Sequence, residues 1–434
     1  MKVKLAYGEG HLEVEFPDDR TTVIEPTCIA GLPDQRAAVI AALETPIGTK
    51  PLRQQIQPTH RITIVFTDIT RATPNHLLIP WLLEHLSTVV SRENITLLNA
   101  LGTHRPNTRG ELEKLLTPEV VANYRVLNHE PEAAEAHVCL GATREGAPAL
   151  INRHLVEADV RIITGFIEPH FFAGFSGGPK GIMPGVAHLN TVMSNHGAGN
   201  IGHPNATFGI TAGNPIWEEM RDIALRVGPS FLLNVTLNEA RQITGVFAGD
   251  LLAAHQVGVE FVRASAMQPV AAPFDIVVTT NSGYPLDQNL YQGIKGLSAG
   301  ARILKPGGTL ILAAECREGV PANSPLDQLL RSTSSPGEIL ALLTTPGFRR
   351  PEQWQAQIQA LIQRQAKVLV HSSLADAIIR AAHLTPCADI ATAVNEAMAL
   401  VGDSACLAVL PQGPLTIPYL VPHRKNPIHG AQHC

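Results

Sequence analysis

The residues able to do chemistry in this 434-residue chain fall into a handful of short polar segments. The densest is 165–185, GFIEPHFFAGFSGGPKGIMPG, with six glycines and three prolines. Glycine lets a backbone turn with positive φ and come close to a ligand. Lys180 would then stand among many backbone N–H groups, which suits a phosphate. The segment is not a P-loop: Pro179 takes the place of a glycine, and Gly181 follows the lysine where Ser or Thr would hold Mg²⁺. Nor is it a G-x-G-x-x-G fingerprint. Ser176 has G-x-S-x-G spacing within 174–178, but Pro179 argues against the strand–elbow–helix context of a nucleophilic serine. A glycine-rich turn with a solvated lysine is the plain alternative.

Other polar clusters follow apolar runs. Asp68 and Arg71 lie in TDITR, where the arginine could grip a carboxylate in a bidentate fork, or simply pair with the aspartate to fix a loop. His104 lies in GTHRP after another such run. His196 closes a short helical pattern over 186–195, just before Gly197; a metal ligand and a cap on the helix dipole are both open readings. In YQGIKG, at 291–296, helical spacing puts Tyr291 or Gln292 on one face with Lys295, an anion clamp or a solvated face. Together these clusters supply two histidines for proton transfer near neutral pH, His104 and His170. They also supply cations for a small acid, Arg71 and Lys295, and a third histidine, His196, able to bind metal.

Positioning such groups needs a scaffold, and the apolar runs describe one. Strand-length runs recur at 62–66, 95–100, 160–163, 276–279, 310–313, 367–370 and 407–410. They are rich in Val and Ile without polar alternation, as in strands buried on both faces. Helical patterns intervene at 76–90, 111–116, 286–297 and 352–365. The first of these has Thr73 as expected N-cap and Pro74 at the first helical position. The pattern predicts an α/β fold of two domains with largely parallel or mixed sheets flanked by helices. The expected boundary is the uncharged stretch 266–273, AMQPVAAP. The N-terminal domain, 1–268, carries Lys180 and the histidines and is completed by the returning 406–434. The C-terminal domain, 272–405, contributes Tyr291, Gln292 and Lys295, and the active site lies in the interdomain cleft.

Composition narrows the class of partner. Only 16% of residues are charged, against roughly 25% in an ordinary domain, while 45% are hydrophobic and the net charge is −5. That excludes disorder. No Lys/Arg cluster suggests a nucleic-acid partner, and no run approaches the roughly 18 apolar residues that span a bilayer. The N-terminal residues MKVKLAYGEGHLEVEF hold no apolar core of a signal peptide, and the six cysteines form no C-x-x-C pair. A cytoplasmic protein is expected.

The chain resembles the nickel-dependent lactate racemase family. The resemblance rests on D-x-T-R at 68–71, T-H-R at 103–105, EPHFFAGFSGGPK at 168–180, His196, and YQGIKG at 291–296. The long string is specific, and the others gain weight from their order. In that family a nickel pincer nucleotide is joined to a lysine through a thioamide. The resemblance implies that Lys180 is that lysine, that His196 is the protein ligand of nickel, and that His104 and His170 are paired acid/base groups. Arg71, Gln292 and Lys295 fall on substrate contacts, with Trp354 as an aromatic wall. Asp68, Tyr291, Gly177 and Gly178 fall on the cofactor side. The implied activity is racemisation or epimerisation of a small 2-hydroxy acid, with the cofactor supplied by separate assembly enzymes. Phe171, Phe172 and Ala173 beside His170 favour lactate or another short aliphatic acid over malate or a sugar acid. Two rivals remain: a nicotinamide-dependent 2-hydroxy-acid dehydrogenase, for which the strand–G-x-G-x-x-G–helix unit is missing, and a non-catalytic protein that binds a small acid or nucleotide.

Overall fold

Each strand-length run becomes a strand, and the strands assemble into two six-stranded sheets. The computed structural model describes residues 1–321 and 323–421. In the first sheet the order is Ile243–Asp250, Phe231–Leu237, Val160–Phe166, Ile62–Thr67, Ile95–Ala100 and Arg125–Asn128. Only the first two of these pair antiparallel. The second sheet runs Thr385–Pro386, Lys367–His371, Leu304–Ala313, Phe274–Thr280, Leu407–Leu410 and Thr21–Val23, parallel throughout. The expected α/β class, with parallel and mixed sheets flanked by helices, is the fold observed.

Burial on both faces accounts for the unalternated runs. Ile64 and Phe66 pack with Leu78 and Leu82 of the helix Asn75–Leu86. Val65 points the other way, into a core that also holds Ile163 and, from the second sheet, Val277 and Leu312. A third core backs the second sheet, where Ile276, Val278 and Ile311 meet Val394 and Met398 of the helix Ile390–Val401.

The structure corrects several expectations. Leu407–Leu410 does not return to the N-terminal domain; it pairs with Phe274–Thr280 and Thr21–Val23 in the second sheet. Traffic runs the opposite way: the N-terminal hairpin of Lys2–Tyr7 and Gly10–Glu15 packs Val3 and Leu5 into the core behind the second sheet. The boundary stretch is not a bare linker, because Met267–Val270 pairs with Ile417–Leu420. The rest of the expected tail, 422–434, lies outside the described residues. Thr73 caps nothing, its buried hydroxyl lacking a partner, and the helix starts at Asn75 behind Pro74. The helix expected from 286 starts at Leu290, because the side chain of Asn289 accepts from Gln292 N.

Parallel packing has a directional consequence. Ile62–Thr67, Ile95–Ala100 and Val160–Phe166 are neighbours pointing one way, so the segments beginning at 68, 101 and 167 emerge at one edge. Ligands of open α/β sheets gather at such carboxyl ends. Ile64 is fully buried in the middle of this sheet. Ile64→Ala is therefore expected to lower unfolding free energy by about 2–5 kcal/mol in a urea titration; a loss well under that range would place the strand outside the stabilising core.

Candidate active site

The strand ends converge on one pocket. The first sheet brings Asp68, Arg71 and His104, then Glu168, His170, Gly177, Gly178 and Lys180 from the loop after Val160–Phe166. His196 arrives at the C-cap of Leu189–Asn195. The helix Leu290–Ala301 adds Tyr291, Gln292 and Lys295, and Gln353–Gln363 adds Trp354. Every site residue singled out in the sequence lines this pocket.

The glycine loop is held from behind. Gly178 N–H donates to Asn234 Oδ1 at 2.8 Å, and His255 Nε2 donates to Ser176 O at 2.9 Å. Gly178 has φ +54°, and a Cβ there would sit 2.5 Å from the His255 ring, so only glycine fits. Ser176 is no nucleophile: its hydroxyl donates to Phe166 O at 3.1 Å and accepts from Glu168 N at 2.9 Å, closing the loop on itself.

Asp68 lines the pocket, but its carboxylate is engaged by protein. One oxygen accepts from Thr70 N at 2.7 Å and Thr70 Oγ1 at 2.5 Å. The other lies 2.6 Å from His104 Nδ1. Burial opposes a charged Asp68, but the hydrogen bond and charge of His104, aided by Arg71 and Thr70, hold it well below the usual carboxylate range. Asp68 thus acts on His104: its carboxylate accepts a hydrogen bond from Nδ1–H, so the neutral ring leaves Nε2 bare. His170 is held differently, with Nδ1 accepting from Ala173 N at 3.2 Å, so the neutral ring carries its proton on Nε2. Burial, then the charges of Lys180, Lys295 and Arg71, push His170 well below the ordinary histidine range.

Rings tie the parts together. His170 meets Phe172 edge-on at 4.5 Å, Phe172 meets His196 at 5.0 Å, and His196 meets Trp354 at 5.0 Å. Trp354 Nε1 donates to Tyr291 Oη at 3.2 Å. Burial raises the Tyr291 hydroxyl to about 12, so it stays protonated.

Electrostatics give the pocket its sign. Arg71, Lys180 and Lys295 face it, and none has a side-chain hydrogen bond or ion pair among the described residues. Burial, then Arg71 and Lys295, pull Lys180 from 10.5 down to about 7. Burial and Arg71 bring Lys295 to about 8. Glu168, the first residue of the EPHFFAGFSGGPK string, also lines the pocket, and burial raises its carboxyl despite Lys295, Arg71 and Lys180. Such a pocket is stabilised by a bound anion. Sequence reasoning also passed over Asn195, Asn234 and His255, which act from behind the lining and carry no motif of their own.

The two-sheet scaffold, with histidines and three cations gathered in one pocket at its strand ends, defines an α/β protein suited to binding a small anion. Comparison with known proteins narrows this. The family models for the lactate racemase N-terminal and C-terminal domains match residues 7–209 and 270–417. A lactate racemase of Thermoanaerobacterium thermosaccharolyticum is 34% identical over 95% of this chain and 97% of its own length. One from Lactiplantibacillus plantarum is 37% identical over 87% of this chain and 90% of its own. The apoprotein structure of the Thermoanaerobacterium enzyme superposes with a TM-score of 0.90 at 33% identity, covering 96% of this chain and all of the other. A Thermotoga maritima protein at 20% identity shares the fold, with a TM-score of 0.70 over 91% of this chain and 100% of its own. The chain belongs to the lactate racemase family, and it is an isomerase.

A folded pKa lowered from 10.5 to about 7 means the unfolded chain binds more protons at Lys180 between those values, so this group's contribution to stability rises with pH across that window. The apo form of Lys180→Met should unfold at a higher temperature than wild-type apoprotein at pH 7. The gap, on the order of several degrees, should close as pH approaches 10.5. Calorimetry checks this; a variant less stable at pH 7 would mean the amine is not confined among like charges.

Proposed function

We propose that this protein inverts C2 of lactate, or of another short aliphatic 2-hydroxy acid, in the cleft between its two sheets, using a nickel pincer nucleotide attached to Lys180. The observation that carries the reading is the pair of separately held histidines in one cationic pocket: His104 with a bare Nε2 set by Asp68, and His170 with its Nε2 proton set by Ala173.

The residues fit the cofactor. Among the described residues no group of three His, Cys, Asp or Glu can hold a metal alone, so a metal on His196 would take its remaining donors from a non-protein group. His196 is neutral, lowered to about 3 by burial and then Lys180, and a neutral imidazole is the form that ligates. Lys180, with its amine lowered to about 7, is available as a nucleophile for covalent attachment near neutral pH. The glycine cradle and the unpaired cations suit a phosphate-bearing group. When bound, the cofactor supplies the acceptor and donor of the C2 hydride.

The chain does the rest. Arg71 and Lys295, with Gln292 beside them, hold the substrate carboxylate so that C2 keeps its position while its substituents invert. His104 Nε2 takes the hydroxyl proton of one enantiomer, and Asp68 stabilises the imidazolium that results. His170 needs a proton on Nδ1 in both roles, as an imidazolium when it donates from Nε2 and as the Nδ1-protonated neutral ring when it accepts there for the other enantiomer; the 3.2 Å bond from Ala173 N–H opens for catalysis. Phe171, Phe172 and Trp354 wall the pocket with apolar surface and exclude water. That wall supports a short aliphatic side chain over a second carboxylate. Cofactor loading falls to separate assembly enzymes. The five described cysteines are free thiols, which suits the reducing cytoplasm we infer as its place; no helix among the described residues is long and apolar enough to cross a membrane.

Each direction uses one histidine as base and the other as acid. His104→Ala and His170→Ala should therefore each lower kcat by about 10²–10⁴-fold from both D- and L-lactate. Near-normal turnover by either variant would overturn the pairing.

A further inference from the structure

The polar groups behind His196 serve no purpose in the pocket's lining, yet they are fully engaged with one another. Asn195 is fully buried and Glu219 is 2% exposed. Asn195 Oδ1 lies 3.0 Å from His196 Nδ1. The orientation of that amide is fixed at its other end, where Nδ2 donates to Ile216 O at 3.1 Å and to Glu219 Oε2 at 2.8 Å. A backbone carbonyl can only accept, so the NH₂ faces Ile216 and the carbonyl oxygen faces the imidazole. Glu219 is held in turn by Arg144 N–H, which donates to Oε1 at 2.5 Å.

We propose that Asn195 and Glu219 form a relay that sets the tautomer of His196, placing the proton on Nδ1 and presenting a bare Nε2 to the pocket. Neither residue lines the pocket; both are positioning residues. An oxygen opposite Nδ1 demands a proton there, and a neutral ring protonated at Nδ1 has its lone pair on Nε2. A metal-bound histidine is ordinarily fixed in this way by a partner on its other nitrogen. The helix Pro215–Arg226, which carries Glu219, also holds the neighbouring backbone: its N-cap Asn214 donates from Nδ2 to Phe172 O at 2.9 Å. One helix thereby reaches His196 through Asn195 and also holds the backbone of Phe172, whose ring packs against it. The consequence for a metal rests on the reading of His196 as the nickel ligand; the tautomer does not.

Glu219→Gln separates the relay from simple packing, since it keeps size and leaves every group touching His196 in place. Either pose of the new amide sets a donor against a donor, at Arg144 N–H or at the Asn195 NH₂. The backbone cannot turn away, so Asn195 is the group that can yield: a flip gives up its bond to Ile216 O, puts its NH₂ against His196 Nδ1 and drives the ring proton to Nε2. Asn195→Leu removes the oxygen outright. The test is ¹⁵N NMR of the ring nitrogens of His196 in the apoprotein, together with nickel loss from the loaded enzyme under an EDTA challenge. The wild type should show a protonated Nδ1 and a bare Nε2, and Glu219→Gln should move the proton toward Nε2. Nickel loss should accelerate about 10–100-fold in both variants. An unchanged His196 tautomer in both variants overturns the relay. A changed tautomer with unchanged nickel loss upholds the relay and overturns the reading of His196 as a nickel ligand.

Discussion

An excess of positive charge in a half-buried pocket is the constraint on which the rest depends. Burial first, and then the charge of Arg71, lowers both lysines there, with Lys295 adding to the shift at Lys180. Of the two carboxylates nearby, Asp68 is already bound to His104 and Thr70, and burial pushes Glu168 toward its neutral form. Charge left uncompensated in this way is costly without a partner. The chain retains it by fixing each cation on a different element, the loop after Ile62–Thr67, the glycine loop and the helix Leu290–Ala301. Rigid parallel strands on one side and a helix packed on the second sheet on the other keep the cations from relaxing apart.

Within that field, neighbours decide which histidine does what. A carboxylate at His104 and an amide carbonyl at His196 each face Nδ1 and turn the free nitrogen of a neutral ring to Nε2, whereas a backbone amide at His170 turns the proton there. Burial keeps His170 and His196 neutral, so neither adds to the cationic load. The edge-on rings from His170 through Phe172 and His196 to Trp354 carry this order from the first sheet's loops to the helices over the second.

Much of this was legible in the residues. Val/Ile runs without alternation announced doubly buried strands, and both sheets followed. Asp68, Arg71, His104, His170, Lys180, His196 and Lys295 stood at strand ends and helix turns where ligands gather, and they share one pocket. What could not be read was long-range. Nothing local in Leu407–Leu410 says which sheet it joins, since a buried strand fits either until its neighbours are known; Thr21–Val23 and Phe274–Thr280 decide that. Asn195 and Glu219 looked like ordinary helix residues because their meaning lies in a contact made across 24 positions. Asp68 suggested a ligand contact, and only its distance to His104 showed it to be that histidine's partner.

The proposed function stands or falls on a nickel-bearing nucleotide carried by Lys180 in the working enzyme. Intact-mass and peptide mass spectrometry on the chain co-produced with cofactor-assembly enzymes, alongside elemental analysis, addresses it most directly. A nucleotide adduct containing sulfur on Lys180 and one nickel per chain are expected, both lost in Lys180→Met. A racemase-active preparation whose Lys180 peptide is unmodified would contradict it.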